Sequence, residues 1–231
     1  MIDTIGVVVP AADEQDLLPA CLDTLDAARG ELARSRPDVV VRVVVVLDSC
    51  TDGSAAVVVS ARPTVEAVPV DVRLAGAARR AGCALVIAST PAADRLWLAS
   101  TDADSRVPPN WLTGMVELAE AGADFVLGTV RPSETLPAGL DAKYRAAYLS
   151  ADGHPHVHGA NLGIRAATYL ELGGWPEIGS GEDVLLAARA VAASIPTIRT
   201  SQFPVATSTR LCGRAPYGYS SYLRGLATLD D

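Results

Sequence analysis

Lysine is almost missing from this chain: Lys143 is the only one among 19 basic residues, and the arginines form no run. With a net charge of −8, that excludes a basic nucleic-acid-binding face. Long apolar runs are missing too. No stretch approaches the ~20 uncharged residues of a membrane helix, and residues 1–6 lack the basic start and apolar core of a secretory leader. No integral membrane segment is expected, and the setting is read as cytoplasmic. The four cysteines (Cys21, Cys50, Cys83, Cys212) form no C-x-x-C pair and no framework spacing, which points to reduced thiols. The familiar phosphate-cradling loops are absent as well: there is no G-x-G-x-x-G after the first strand and no G-x-x-x-x-G-K-[ST]. A nucleotide site in this chain must therefore neutralise phosphate with a metal and arginines. Arg73, Arg79 and Arg80 are candidates, and for each alone a solvated helix face is the favoured reading.

What is present is 231 residues, 49% hydrophobic, enough to bury the core of one large domain. Residues 5–9 form a β-branched run ended by Pro10, read as a strand buried on both faces. Asp13, Glu14 and Asp16 then precede apolar positions at helical spacing, with Pro19 early enough to be tolerated and the acids at the positive helix start. Residues 39–47 form a second buried strand, followed by a polar turn from Asp48 to Ser54. Residues 65–72 and 75–88 make a weaker strand and helix, residues 96–100 a fourth strand, and Pro108-Pro109 starts a helix. Strands alternating with helices predict a mostly parallel, doubly wound sheet. In such sheets ligands sit beyond the carboxyl ends of the strands. Three polar clusters fall there: Pro10 with Glu14, Asp48 with Asp52, and Asp102 with Asp104.

Asp102-Ala103-Asp104 carries the most chemistry. Residues two apart in an extended stretch point to one side, so both carboxylates can face one hard divalent cation and the phosphate it bridges. Further on, residues 124–130 read as a strand and residues 136–149 as a helix. All three histidines then fall within five residues, at His154, His156 and His158. If that segment is extended they share a face; zinc ligation is one reading, and hydrogen bonding near an acceptor pocket is favoured over it. Gly173-Gly174-Trp175-Pro176 breaks the chain before Gly181-Glu182-Asp183 opens another helix. The two acids complement the helix dipole, and one of them facing a cleft would be a general base.

Taken in order, these clusters resemble the family 2 glycosyltransferases of the glycosyltransferase-A fold. The resemblance rests on V-V-V-P-A-A-D-E, V-V-L-D-S-C-T-D-G-S, G-A-A-R-R-A-G, T-D-A-D-S-R-V-P-P-N-W-L, H-G-A-N-L-G-I-R, then G-G-W and G-E-D-V-L-L, spanning nearly the whole chain. It implies a single α/β domain with a mostly parallel central sheet and helices on both faces. Within it, residues 1–107 would be the nucleotide-binding half, 108–205 the acceptor-binding half, and 206–231 a C-terminal loop and helix. It implies a nucleoside-diphosphate sugar donor, with Pro10, Glu14 and Asp48 around base and ribose and Arg79 near the nucleotide. Asp102 would lie near ribose or metal, and Asp104 on Mn²⁺ or Mg²⁺. Asp183 would take the acceptor proton, with His158, Asn161 and Glu182 on the acceptor side, and Arg210 and Arg214 of a covering tail loop would hold the diphosphate. The acceptor stays unnamed. Ser49 and Asp13 depart from the family's usual acidic and Asn residues, and the Q-x-x-R-W segment and membrane helices of processive synthases are absent, so a single inverting transfer is expected. Two rivals remain: a sugar-phosphate nucleotidylyltransferase, whose Gly-rich basic loop after the first strand is not found here, and a sugar-nucleotide-binding module without catalysis.

Overall fold

A computed structural model describes residues 1–61, 64–211, 213 and 218–228. In chain order the elements are β1 (Thr4–Ala11), α1 (Leu18–Ser35), β2 (Val40–Asp48), α2 (Ser54–Ala61), β3 (Val65–Val70), α3 (Ala75–Ala88), β4 (Leu96–Ser100) and β5 (Ser105–Arg106). They continue with α4 (Trp111–Glu120), β6 (Phe125–Pro132), α5 (Ala138–Ala147), β7 (Leu162–Arg165), α6 (Ala166–Glu171), α7 (Glu182–Ala192), β8 (Thr197–Thr207) and α8 (Tyr219–Ala227).

One sheet of eight strands runs β3-β2-β1-β4-β7-β6-β8-β5. The β1–β2, β1–β4, β2–β3 and β6–β8 pairs are parallel, whereas β7 is antiparallel to both β4 and β6, and β5 is antiparallel to β8. The sheet is thus mixed, with the predicted parallel block at β3-β2-β1-β4. Alternation along β1 separates two cores: Val7 and Val9 face a cluster with Leu22, Leu25, Trp111 and Phe203, while Val8 faces one with Val46, Cys83 and Trp175. Helices therefore cover both faces, and each fully buried valine or leucine contributes roughly 1.5–3 kcal/mol. Among the described residues, no helix is long and apolar enough to cross a membrane.

Several elements differ from the sequence reading. The turn after β2 leads into a helix, α2, whose Val57-Val58-Val59 reads as strand by propensity; packing of Val58 in the core decides otherwise. The first helix starts at Leu18 with no acid in its first turn. Asp13 and Glu14 lie in the preceding loop, where Asp13 Oδ1 accepts the backbone N–H groups of Thr51 (2.7 Å) and Asp52 (3.2 Å). Asp13 thus ties β1 to the β2–α2 turn instead of neutralising a dipole. The strands β7 and β8 and the short helix α6 also went unread.

Candidate active site

The ends of β1, β2 and β4 bring the three polar clusters together beyond one edge of the sheet. Asp48, at the end of β2, is buried, and its Oδ1 accepts the backbone N–H groups of Val72 and Arg73, each at 2.9 Å. It is thus a tie for the β3–α3 loop, where Arg73 has φ +53°. Pro10 lies inside β1, opposite Val46 and half-buried, as a wall of the same edge.

Past β1, the backbone N–H of Glu14 donates to Ser54 Oγ (2.9 Å), and the Glu14 carboxylate, 6% exposed, is gripped on both oxygens by Arg210. Those contacts are Nη1–Oε2 at 3.1 Å and Nη2–Oε1 at 2.8 Å. Arg210 Nη2 also reaches Asp104 Oδ2 at 2.9 Å. Of the tail loop, Arg210 thus contacts both Glu14 and Asp104; Arg214 lies outside the described residues. Glu14 is therefore an ion-pair partner rather than an open acceptor group.

Asp104 is half-buried beside Asp102 and near Glu14. Burial first, and then the like charge of Asp102, push its carboxyl up to about 6, with Arg210 opposing. Asp102 remains one-third exposed and accepts from Arg79 Nη2 at 2.6 Å. Arg79 itself is 4% exposed. Its Nε donates to Ser100 Oγ (3.1 Å), its Nη1 to Glu182 Oε1 (2.5 Å), and its guanidinium lies 5.0 Å from the Trp175 ring centroid. An arginine this deep is held by charge-assisted bonds and a ring face together. It approaches so closely that a Cβ on Gly159 would sit 2.7 Å from Nη2, so a side chain there would displace the guanidinium from its partners. Of the three arginine candidates, Arg79 alone is internal: Arg73 pairs with exposed Asp71, and Arg80 bonds the carbonyls of Gly173 and Trp175.

Glu182 and Asp183 open α7, after Gly181 at φ +80°. Both are first-turn acids, and Glu182 pairs with Arg79 while Asp183 lies within reach of its charge. Asp183 Oδ2 accepts the N–H of Gly159 at 2.8 Å, and Oδ1 accepts the N–H of Val184 at 2.8 Å. Its carboxyl is raised above the usual range by burial, against the pull of Arg79 and with a push from Glu182. That balance favours a carboxylate of greater basicity than a solvated one.

The histidines do share a face, with ring centroids 5.7 and 5.9 Å apart, and His156 stacks on Tyr148 at 3.9 Å. The Tyr148 hydroxyl accepts the Val130 N–H (3.0 Å) and is left to donate to His158 Nε2 (2.9 Å). Burial lowers all three histidines, His158 to about 3, so the stack is neutral. Among the described residues, no group of three or more converging metal-ligand atoms includes a histidine; hydrogen bonding and stacking, not zinc ligation, account for the segment. Asn161 is corrected outright. Its side chain is fully buried, accepts from Trp111 Nε1 (2.9 Å) and donates to the carbonyls of Thr129 (2.8 Å) and Phe203 (3.0 Å), so it joins α4, β6 and β8 and lines no cleft. Missed from the sequence were Ser54, Ser100 and Trp175, because small polar and aromatic residues acquire such roles only through tertiary placement.

Five carboxylates (Glu14, Asp102, Asp104, Glu182, Asp183) thus meet two buried or half-buried guanidinium groups, those of Arg79 and Arg210. The surplus of negative charge, and the raised carboxyl of Asp104 in particular, fit a hard divalent cation bound through oxygen. Asp104 and Asp102 are the residues that fit it.

The sequence profile of glycosyl transferase family 2 matches residues 6–149. No curated protein is similar enough in sequence to count as a relative. Among solved structures, Staphylococcus aureus TarS 1-349 in complex with UDP-GlcNAc is similar over 94% of this chain and 61% of that one, with TM-score 0.65 and 16% identity. The mannosyltransferase PcManGT of Pyrobaculum calidifontis, with GDP-Man and Mn²⁺, is similar over 86% and 55%, with TM-score 0.59 and 21% identity. Glucosyl-3-phosphoglycerate synthase of Mycobacterium tuberculosis, with Mn²⁺, UDP and glucosyl-3-phosphoglycerate, is similar over 85% and 69%, with TM-score 0.55 and 18% identity. The chain spans about three-fifths of the TarS 1-349 chain, and at these identities the likeness is one of fold.

Proposed function

As the chain belongs to glycosyl transferase family 2, we propose that it moves one sugar from a nucleoside-diphosphate sugar to an acceptor hydroxyl, inverting the anomeric carbon. The observation that carries this reading is the pairing of a cation-seeking carboxylate cluster, Asp102 and Asp104, with a separate, backbone-held carboxylate, Asp183, whose neighbour Glu182 is ion-paired to the same buried Arg79 that holds Asp102. The fold neighbours solved with UDP-GlcNAc, or with GDP-Man and Mn²⁺, support a nucleoside-diphosphate donor and a divalent cation.

Asp104, with Asp102 beside it, would hold Mn²⁺ or Mg²⁺, which when bound offsets the charge that develops on the departing diphosphate. The chain's own residues do the rest. Pro10 and the loop fixed by Asp48 bound the base and ribose. Arg79 holds Asp102 in place and carries positive charge into the donor side, and Arg210 is free to exchange its carboxylates for phosphate oxygens. Asp183, its oxygens fixed by the Gly159 and Val184 N–H groups, receives the acceptor proton as the acceptor oxygen bonds the anomeric carbon and the bond to the diphosphate breaks. Glu182, bonded to Arg79, and His158, bonded to Tyr148, act as supports around that base.

A transfer screen over a panel of sugar nucleotides with Mn²⁺, run beside calorimetry with UDP and GDP, tests the reading. Metal-enhanced binding of one nucleoside diphosphate is expected; none for either would sink it. Asp183→Asn is expected to lower transfer by about 10²–10⁴-fold while nucleotide affinity stays nearly unchanged. Lost nucleotide affinity would instead make Asp183 a structural residue.

A further inference from the structure

We propose that Arg210 is the resident counter-ion of the carboxylate cleft, a latch that a divalent cation must displace before it reaches Asp104. The inference rests on the reading of Asp104 as the cation's ligand. Arg210 stands 196 positions from Glu14 in the chain and still grips both of its oxygens. Its Nη2 is shared with Asp104 Oδ2 at 2.9 Å. Glu14 is 6% exposed, so its charge is balanced inside the protein rather than by bulk water. Asp104, with a side chain only 13% exposed, has this same guanidinium as its charge partner. A guanidinium therefore satisfies the cleft's need for positive charge in the absence of ligand. It does so through directional N–H donors, not as a Lewis acid, so it closes the site without activating it.

The latch is built to open. Arg210 is about one-third exposed, and residues 208–210 follow β8 outside any helix or strand, so the guanidinium can swing without breaking sheet pairing. A diphosphate offers it bidentate bonds at least as strong as those to Glu14. A cation arriving alone meets the guanidinium's repulsion at Asp104, whereas a cation arriving with a diphosphate gives Arg210 somewhere to go. Cation and nucleotide then promote each other's binding, and that coupling passes through one side chain.

The test is Mn²⁺ binding itself, read from the electron paramagnetic resonance of the free aqua ion, without sugar donor or acceptor. The proteins are the wild type, R210Q, R210K and the double variant R210Q/D104N, each with and without UDP or GDP. R210Q is expected to bind Mn²⁺ alone about tenfold or more tightly than the wild type, and to gain less from nucleotide. R210K keeps the charge and is expected to stay within about threefold of the wild type. The double variant is expected to lose the gain. If R210Q binds Mn²⁺ alone no more tightly than the wild type does alone, while the wild type binds it with nucleotide, the latch is overturned and the metal reading stands. A gain that survives in R210Q/D104N also overturns it. If neither the wild type with nucleotide nor R210Q binds Mn²⁺, the metal-dependent function fails and the latch falls with it.

Discussion

Two sides of one cleft solve the problem of buried polarity in opposite ways. At the ends of β1 and β4, Glu14, Asp102 and Asp104 are ionised groups held by the guanidinium groups of Arg210 and Arg79. Along residues 154–161 the polar groups are neutral: stacked imidazoles, the Tyr148 hydroxyl, and the Asn161 amide with three partners. Ions can exchange one partner for another of like charge, such as a phosphate for a carboxylate. The bonded amide of Asn161 and hydroxyl of Tyr148 have no such substitute, because each bond they lose leaves a buried group unpaired at about 1–3 kcal/mol. The charged side is thus suited to ligand exchange, and the neutral side to holding α4, β6 and β8 in fixed relation.

The comparison breaks first at Arg79, which is charged yet lies among the most buried side chains. Arg79→Ala strands Glu182 inside the protein, and a loss of about 3–5 kcal/mol in urea unfolding is expected. A loss below about 1 kcal/mol would place Arg79 with the exchangeable ions instead. Asn161→Ala on the neutral side should cost about 3 kcal/mol or more, the low end for an orphaned Trp111 N–H and two carbonyls at about 1–3 kcal/mol each, without altering nucleotide affinity. A selective loss of affinity there would return Asn161 to the ligand-binding surface.

The smallest effect is in pH. His158 is held near 3 in the folded chain, below the usual 6.5, so as pH falls below about 6.5 the unfolded chain takes a proton that the folded chain refuses. Stability from this group is complete above pH 6.5 and declines towards pH 3. At pH 5 the decline is about 1–2 kcal/mol, and His158→Gln should remove it. Asp104, raised to about 6, acts in the opposite sense, so the difference between the wild type and His158→Gln across pH 5–7.5 isolates the histidine. Parallel pH curves for the two proteins would show that the stack is not closed to protons.

Periodicity and strand-end position were enough to read β1, β2, β4 and α3 and to place their acids beyond one sheet edge, because those residues are local to their elements. What each acid bonds was not legible. Whether Glu14 faces a ribose or Arg210, 196 positions away, depends on a tail whose path no local pattern encodes. Asn161 shows the same limit, since a short motif reads alike whether its amide points into a cleft or between helices. β7 and β8 escaped because their glycine, proline and polar residues carry little strand signal, and pairing with neighbours decides them.

That β7 lies between β4 and β6, antiparallel to both, has a consequence for how the chain assembles. It is only four residues long, and Arg165 clasps Asp124 at 2.6 Å to hold it. As the chain leaves the ribosome, the parallel block β3-β2-β1-β4 can form early, but the free edge of β4 waits more than sixty positions for Leu162 to arrive. Until then that edge is an open template for other chains. Closure of the sheet by β7 is therefore a late, long-range step, and the least forgiving moment in the making of this protein.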